Sequence, residues 1–249
     1  MNRWKAFAIH LGISAAIGTI VVGTMLLVWY PGLFFTAMGG NDLVLILLGV
    51  DVVLGPLITL VVFNPRKARR LLRMDLAVIG AIQALALAYG VQVIAEVRPV
   101  YMVFTVDRFD LVAANDLKES ELARVSDPAF QGIPWGRPRT VGVQSPADSK
   151  EQMRIIQSAL AGADLQTFPQ YYVKYEVLAA RALKVSRPLA VLRRRHPEEG
   201  ARIDGRLAEL GRKEGELRFL PLKARSRDYC VLLDAKDGSV AGFLELIPW

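Results

Sequence analysis

The sequence predicts a membrane protein: three transmembrane α-helices followed by an α+β extracytoplasmic domain built on an antiparallel sheet. Three observations predict it. The early part of the 249-residue chain holds three long apolar runs, at about 6–30, 43–63 and 76–95. Each has the ~20 residues that a helix needs to cross the ~30 Å hydrocarbon layer. The basic residues outside the C-terminal part are confined to two short stretches, as in a chain that must orient itself in a bilayer. The remainder carries strand-like runs at both ends and helical patterns between them. A hydrophobic content of 53% fits such a chain. The expected division is a transmembrane domain over 1–96 and a second domain over 97–249.

Span one follows Arg3 and Lys5, as a secretory signal would. Its apolar core exceeds the ~7–15 residues of a signal, and no small-x-small cleavage site follows it. Trp29 and Tyr30 close it in the manner of an interfacial aromatic belt. It therefore reads as a retained span. In hydrocarbon the backbone must satisfy itself, so all three runs read as helices.

Orientation follows from charge. Arg3 and Lys5 precede span one, and Arg66, Lys67, Arg69, Arg70 and Arg73 lie between spans two and three. The connection between spans one and two, PGLFFTAMGGND, has no basic residue. The positive-inside rule then puts the N-terminus in the cytoplasm and the C-terminal domain on the far side. In a bacterium with two membranes the expected site is the inner membrane, with that domain in the periplasm.

Span two, LGVDVVLGPLITLVVF, carries a carboxylate and a proline inside an apolar run. A charge near mid-bilayer costs about 2.5–3.5 kcal/mol on insertion scales, so Asp51 is expected to face the bundle interior and find a partner. Gln83 of span three is the expected donor; His10, near the cytoplasmic end of span one, is expected to be too shallow. Pro56 removes a backbone hydrogen bond and frees a carbonyl about one turn earlier. Gly55 admits close approach of another chain. Gly49 with Gly55, and Gly80 with Ala84, are expected packing surfaces. Two readings stay open: an internally paired, kinked bundle, or a polar groove for another protein's transmembrane helix. A proton path has few polar groups to use.

In the far-side domain, Val100–Val106 and Phe109–Ala113 read as strands, with Asp107 and Arg108 at the turn between them. FQGIPWGRPR, Phe130–Arg139, reads as a loop. A helix starts at Ser145–Asp148, where Ser145 or Asp148 can cap it. Met153, Ile155, Ile156 and Leu160 form its apolar face, and it stops around Ala161 and Gly162. Tyr171–Leu192 reads as helical at first, with a break at Pro188. Pro197–Leu210 reads as a helix with Glu198 and Glu199 at its start and Gly211 at its end. Leu217–Lys223, Asp228–Asp234 and Ser239–Leu246 read as strands, with Asp237-Gly238 in a tight turn.

The formal charge of +7 does not point to nucleic acid: residues 97–249 hold 24 Lys and Arg against 20 Asp and Glu, and no recognition motif accompanies them. The basic cluster 66–73 is expected to touch lipid headgroups of the bilayer. The single Cys230 is expected to be a buried strand residue. With two histidines, and none of the HExxH, GxSxG, Walker or GxGxxG patterns, the sequence offers no catalytic site, metal site or cofactor loop. Tyr171, Tyr172 and Tyr175 are expected in the core or an interface. Arg193–Arg195 reads as a solvated face.

Three segments taken together carry a resemblance: DVVLGPLITLVVFNP (Asp51–Pro65), DLAVIGAIQALALAYGV (Asp75–Val91) and RPVYMVFTVDRFDLV (Arg98–Val112). With the closing Pro248-Trp249, the chain resembles the type IV pilin accessory protein family, the TfpX/TfpZ group, over residues 1 to about 113. The resemblance implies an inner-membrane, chaperone-like protein that promotes assembly of a major type IV pilin, met as prepilin in the membrane. It implies no enzyme activity. Asp51, Gly55, Pro56, Asp107, Arg108 and Phe109 are the matched motif positions. With Gln83 they form the candidate partner-binding set. The alternative is a membrane-tethered periplasmic sensor or ligand-binding protein. Its cytoplasmic parts, about 5 and about 12 residues, fall far short of the ~50-residue minimum of a domain.

Overall fold

The computed structural model describes residues 2–160 and 162–249. It divides into two compact units. One takes in the N-terminal stretch through Phe35 together with Gly39–Val97; the other joins Thr36–Met38 to Arg98–Trp249.

The first unit holds three helices long and apolar enough to cross a membrane: α1 (Arg3–Trp29), α2 (Gly40–Val62) and α3 (Arg69–Val97). Asn2 caps α1 by accepting the Lys5 N–H at 2.9 Å. The last turn of α1, Met25–Trp29, widens to π geometry. Behind it the Tyr30 hydroxyl donates to the Ile94 carbonyl at 3.0 Å, which ties the end of α1 to that of α3. α2 carries a second π segment at Gly49–Leu54, followed by regular helix from Gly55. α3 begins before its expected apolar run, because the Arg, Leu and Met of its first turns are strong helix formers. α1 and α3 both pack on α2. Ile20, Leu45, Val61 and Leu85 stay exposed, as side chains that face lipid do.

The second unit is built on a sheet that has eight strands among the described residues. They are β1 (Pro99–Phe104), β2 (Phe109–Ala113), β3 (Arg139–Val143), β4 (Tyr172–Lys174), β5 (Arg187–Pro188), β6 (Leu217–Lys223), β7 (Tyr229–Asp234) and β8 (Val240–Leu244). The order is β4-β3-β1-β2-β6-β7-β8, with β5 also on β6. Most pairs are antiparallel, but β1–β3 and β2–β6 are parallel, so the sheet is mixed rather than antiparallel throughout. A parallel neighbour needs a long crossover. Residues 105–138, which include β2, join β1 to β3, and everything between β2 and β6 joins the other pair. Both join segments that no local signal links.

The local elements follow their signals with three exceptions. β3, β4 and β5 were not expected. Tyr171 onward does not start a helix: Tyr172–Lys174 is a strand on β3, and the helix α5 is confined to Ala179–Val185. Pro188 does break the chain, before α6 (Leu189–Arg195). α4 (Ser149–Leu160) is capped by Asp148, whose Oδ1 accepts the Lys150 N–H at 3.4 Å. Its expected stop at Ala161 lies outside the described residues; Gly162 has a φ of 89°. α7 (Gly200–Leu210) follows a single 3₁₀ turn and ends at Gly211 in the left-handed conformation.

Among the described residues, one buried cluster packs at each end of the sheet. Tyr101, Val103, Phe130, Val141 and Tyr172 fill the β1–β3 end. Leu192, Ile203, Phe219, Cys230 and Leu232 fill the other, beneath α6 and α7. Cys230 donates to the Leu246 carbonyl at 3.4 Å, and burial pushes its thiol up to about 12. Thr36–Met38 belongs here through hydrogen bonds. Its Thr36 hydroxyl meets the Tyr229 hydroxyl at 2.6 Å, and the Ala37 carbonyl accepts the Ser226 N–H at 2.9 Å.

Candidate functional site

In the π segment of α2 the Gly55 N–H donates to the Val50 carbonyl, five residues back. The same register would give the Asp51 carbonyl the N–H of residue 56, which is proline and has none. Gln83 of α3 fills that gap: its Nε2 donates to the Asp51 carbonyl at 3.2 Å. Gly55 provides the room, since a Cβ there would lie 1.6 Å from Gln83 Nε2. Asp51, Gly55, Pro56 and Gln83 thus come together as one device. Gln83 serves the backbone of Asp51, however, not its carboxyl group as expected. The carboxyl oxygen Oδ1 is buried and has no hydrogen-bond partner among the described residues. Asp51 itself is 8% exposed.

Asp51 lines a cleft of about 210 Å³ whose other walls include Ser14 and Ile17 of α1 and Gly80, Gln83 and Leu87 of α3. A neighbouring cleft of about 290 Å³ shares His10, Ile13 and Gly80 with it and adds Thr59, so the two form one groove between α1 and α3 floored by α2. A third cleft, about 240 Å³, lies between α2 and α3 and again reaches Asp51. His10 is not a partner of Asp51. Its Nδ1 meets the Thr59 hydroxyl at 2.6 Å, and Thr59 is buried. That pair went unread in the sequence, although a histidine and a threonine in two apolar runs were its signal. The glycines are also redistributed. Close packing occurs at Gly18, where a Cβ would lie 3.0 Å from Leu48 Cδ2, and at Gly90, 2.7 Å from Leu47 Cδ1. At Gly49 and Gly80 a Cβ would meet nothing within 4 Å, so these two expected packing positions are open.

In the second unit the β1–β2 turn is held by Asp110, a residue the candidate set omitted. Arg108 Nε donates to both Asp110 carboxyl oxygens at 3.1 Å, and the Thr105 hydroxyl donates to one of them at 3.2 Å. Burial pushes the Asp110 carboxyl up, while Arg108 and Thr105 hold it down. Phe109 is fully buried, and its ring packs on Phe104 and Tyr175 with centroids 5.4 and 5.5 Å apart. It is a core residue, closed to any partner. Asp107 at the turn is exposed. The arginine run is not one open face either: Arg193 pairs with Glu214 at 2.7 Å and with Asp204, and Arg195 donates to the Pro248 carbonyl at 2.8 Å. On α4, Ile155 is buried, but Met153, Ile156 and Leu160 of the expected apolar face are exposed. Among the described residues no group of three or more His, Cys, Asp or Glu is placed to hold a metal ion.

No family model matches the chain. No solved structure matches it. Curated relatives do. A fimbrial assembly protein of serogroup I of Dichelobacter nodosus is 28% identical over 232 residues, 92% of this chain and 90% of that protein. The serogroup E1 protein of the same organism matches with the same identity and coverage. The fimbrial assembly protein of serogroups C1 and C2 is 33% identical over 118 residues, 47% of this chain and 90% of that relative. An identity of that level, over nearly the whole of a relative, shows common descent: the chain belongs to the family of fimbrial assembly proteins.

Proposed function

We propose that this protein is an inner-membrane accessory factor of type IV pilus assembly, of the TfpX/TfpZ kind. It binds a major pilin while that pilin is still inserted in the membrane. It works by holding its client, as a chaperone does, and not by catalysis. The likeness to fimbrial assembly proteins across 92% of the chain carries this reading. The groove between α1 and α3 supports it, since it offers a second helix an apolar wall and a polar floor in the plane of the bilayer. The N-terminus and the basic connection face the cytoplasm in this proposal, and residues 98–249 face the periplasm. The grouping of Thr36–Met38 with that domain supports it, because both then lie on one side of the membrane.

The test is photocrosslinking in membranes of piliated cells. Probes go at Ile13, which is exposed in the groove, and at Asp107, exposed on the domain. Covalent products with prepilin or major pilin from both positions are the expected result. Products confined to the protein itself, or to an unrelated envelope component, overturn the docking reading.

A further inference from the structure

We infer that the groove takes a membrane-spanning helix bearing a hydrogen-bond donor side chain at mid-bilayer, and that the Asp51 carboxyl group is its acceptor. This rests on the proposed docking function and specifies the chemistry of the client.

Four observations carry it. Asp51 is the twelfth residue of the 23-residue α2, so it lies about 16 Å from either end at 1.5 Å per residue. Its Oδ1 is buried and has no hydrogen-bond partner among the described residues. Buried polar atoms in native proteins are almost always satisfied, and in hydrocarbon no water replaces the missing partner. Of the polar side chains that line the groove with it, Gln83 is engaged on the Asp51 carbonyl, His10 is engaged with Thr59, and the Ser14 hydroxyl makes no hydrogen bond to Asp51 Oδ1. Finally, Asp51 lines both the groove and the adjoining α2–α3 cleft, so its carboxyl group borders the space that a docked helix would fill. A purely apolar occupant would pack against the walls and leave this acceptor unmet. A helix with a donor at that depth, a lysine above all by charge complementarity, would meet it.

Two synthetic transmembrane peptides of leucine and alanine, differing only in a central Lys or Leu, serve as probes. The full chain, carrying a photocrosslinker at Ile13, is placed with each peptide in lipid nanodiscs. The Lys peptide is expected to be captured about tenfold more than the Leu peptide, in line with one intramembrane hydrogen bond. Asp51→Leu should remove the preference. Asp51→Asn, which keeps size and packing, should reduce it, and guards against a folding defect in the leucine variant. Equal capture of both peptides by the unaltered protein overturns this inference and leaves helix docking standing. So does a preference that survives Asp51→Leu. Capture of neither peptide, or only of a second copy of the chain, overturns the docking reading with it.

Discussion

Gly55 and Gln83 act as one unit across two spans. A methyl group at position 55 would displace the Gln83 amide, so Gly55→Ala and Gln83→Ala should each lose the same hydrogen bond to the Asp51 carbonyl. Each is expected to cost about 0.6 kcal/mol, the mean for an intramembrane hydrogen bond, and at most about 1.7 kcal/mol. The double variant should cost no more than the costlier single one, as equilibrium unfolding in detergent would show. Full additivity would mean that the two side chains do not share one role. At the β1–β2 hairpin the matched motif divides by burial. Phe109→Ala is expected to destabilise the protein by about 3–5 kcal/mol through the lost ring packing. Asp107→Ala should stay within about 0.5 kcal/mol. Thermal unfolding of both variants would separate a core residue from a surface one.

At the scale of elements, α4 is anchored by charge as much as by its apolar residues. The Tyr171 hydroxyl donates to Glu151 at 2.5 Å, and Arg124 and Arg154 donate to the same carboxylate at 2.8 and 3.0 Å. Tyr171 first, then the two arginines, hold Glu151 down to about 2 from an ordinary 4.5. A depressed carboxylate stabilises the folded state above its unfolded value and ceases to as it is protonated. The contribution is therefore complete above about 4.5 and lost as pH falls toward about 2. Tyr171→Phe should narrow the difference in melting temperature between pH 7 and pH 3, and an unchanged difference would remove Glu151 from the acid response. Strand β4 shows where local reading fails. Tyr171–Lys174 has the residues of either a strand or a buried helix, and only the free edge of β3 decides between them.

For the whole molecule, orientation is the decisive property, and Cys230 makes it measurable. Its burial and raised pKa keep the native thiol silent toward maleimides, so an introduced cysteine reports alone. In cells with a permeabilised outer membrane, an impermeant maleimide should label Asp107→Cys and spare Arg70→Cys. The opposite pattern would invert the proposed topology. Labelling of the unaltered chain would contradict the burial of Cys230.

The sequence by itself determined the three spans, the domain that follows them, and the residues of the α2 device, because length, apolarity and proline chemistry act locally along the chain. It also placed the β1–β2 turn and the three C-terminal strands, whose turns and apolar runs lie within a few residues of each other. The tertiary structure alone decided the parallel pairs β1–β3 and β2–β6, which join segments far apart in sequence. It decided too that Gln83 binds the Asp51 carbonyl and not the carboxyl, that His10 meets Thr59, and that Phe109 is core. Each of these depends on which side chain another element brings within about 3 Å of it, the reach of a hydrogen bond, and no spacing along one strand or helix encodes that.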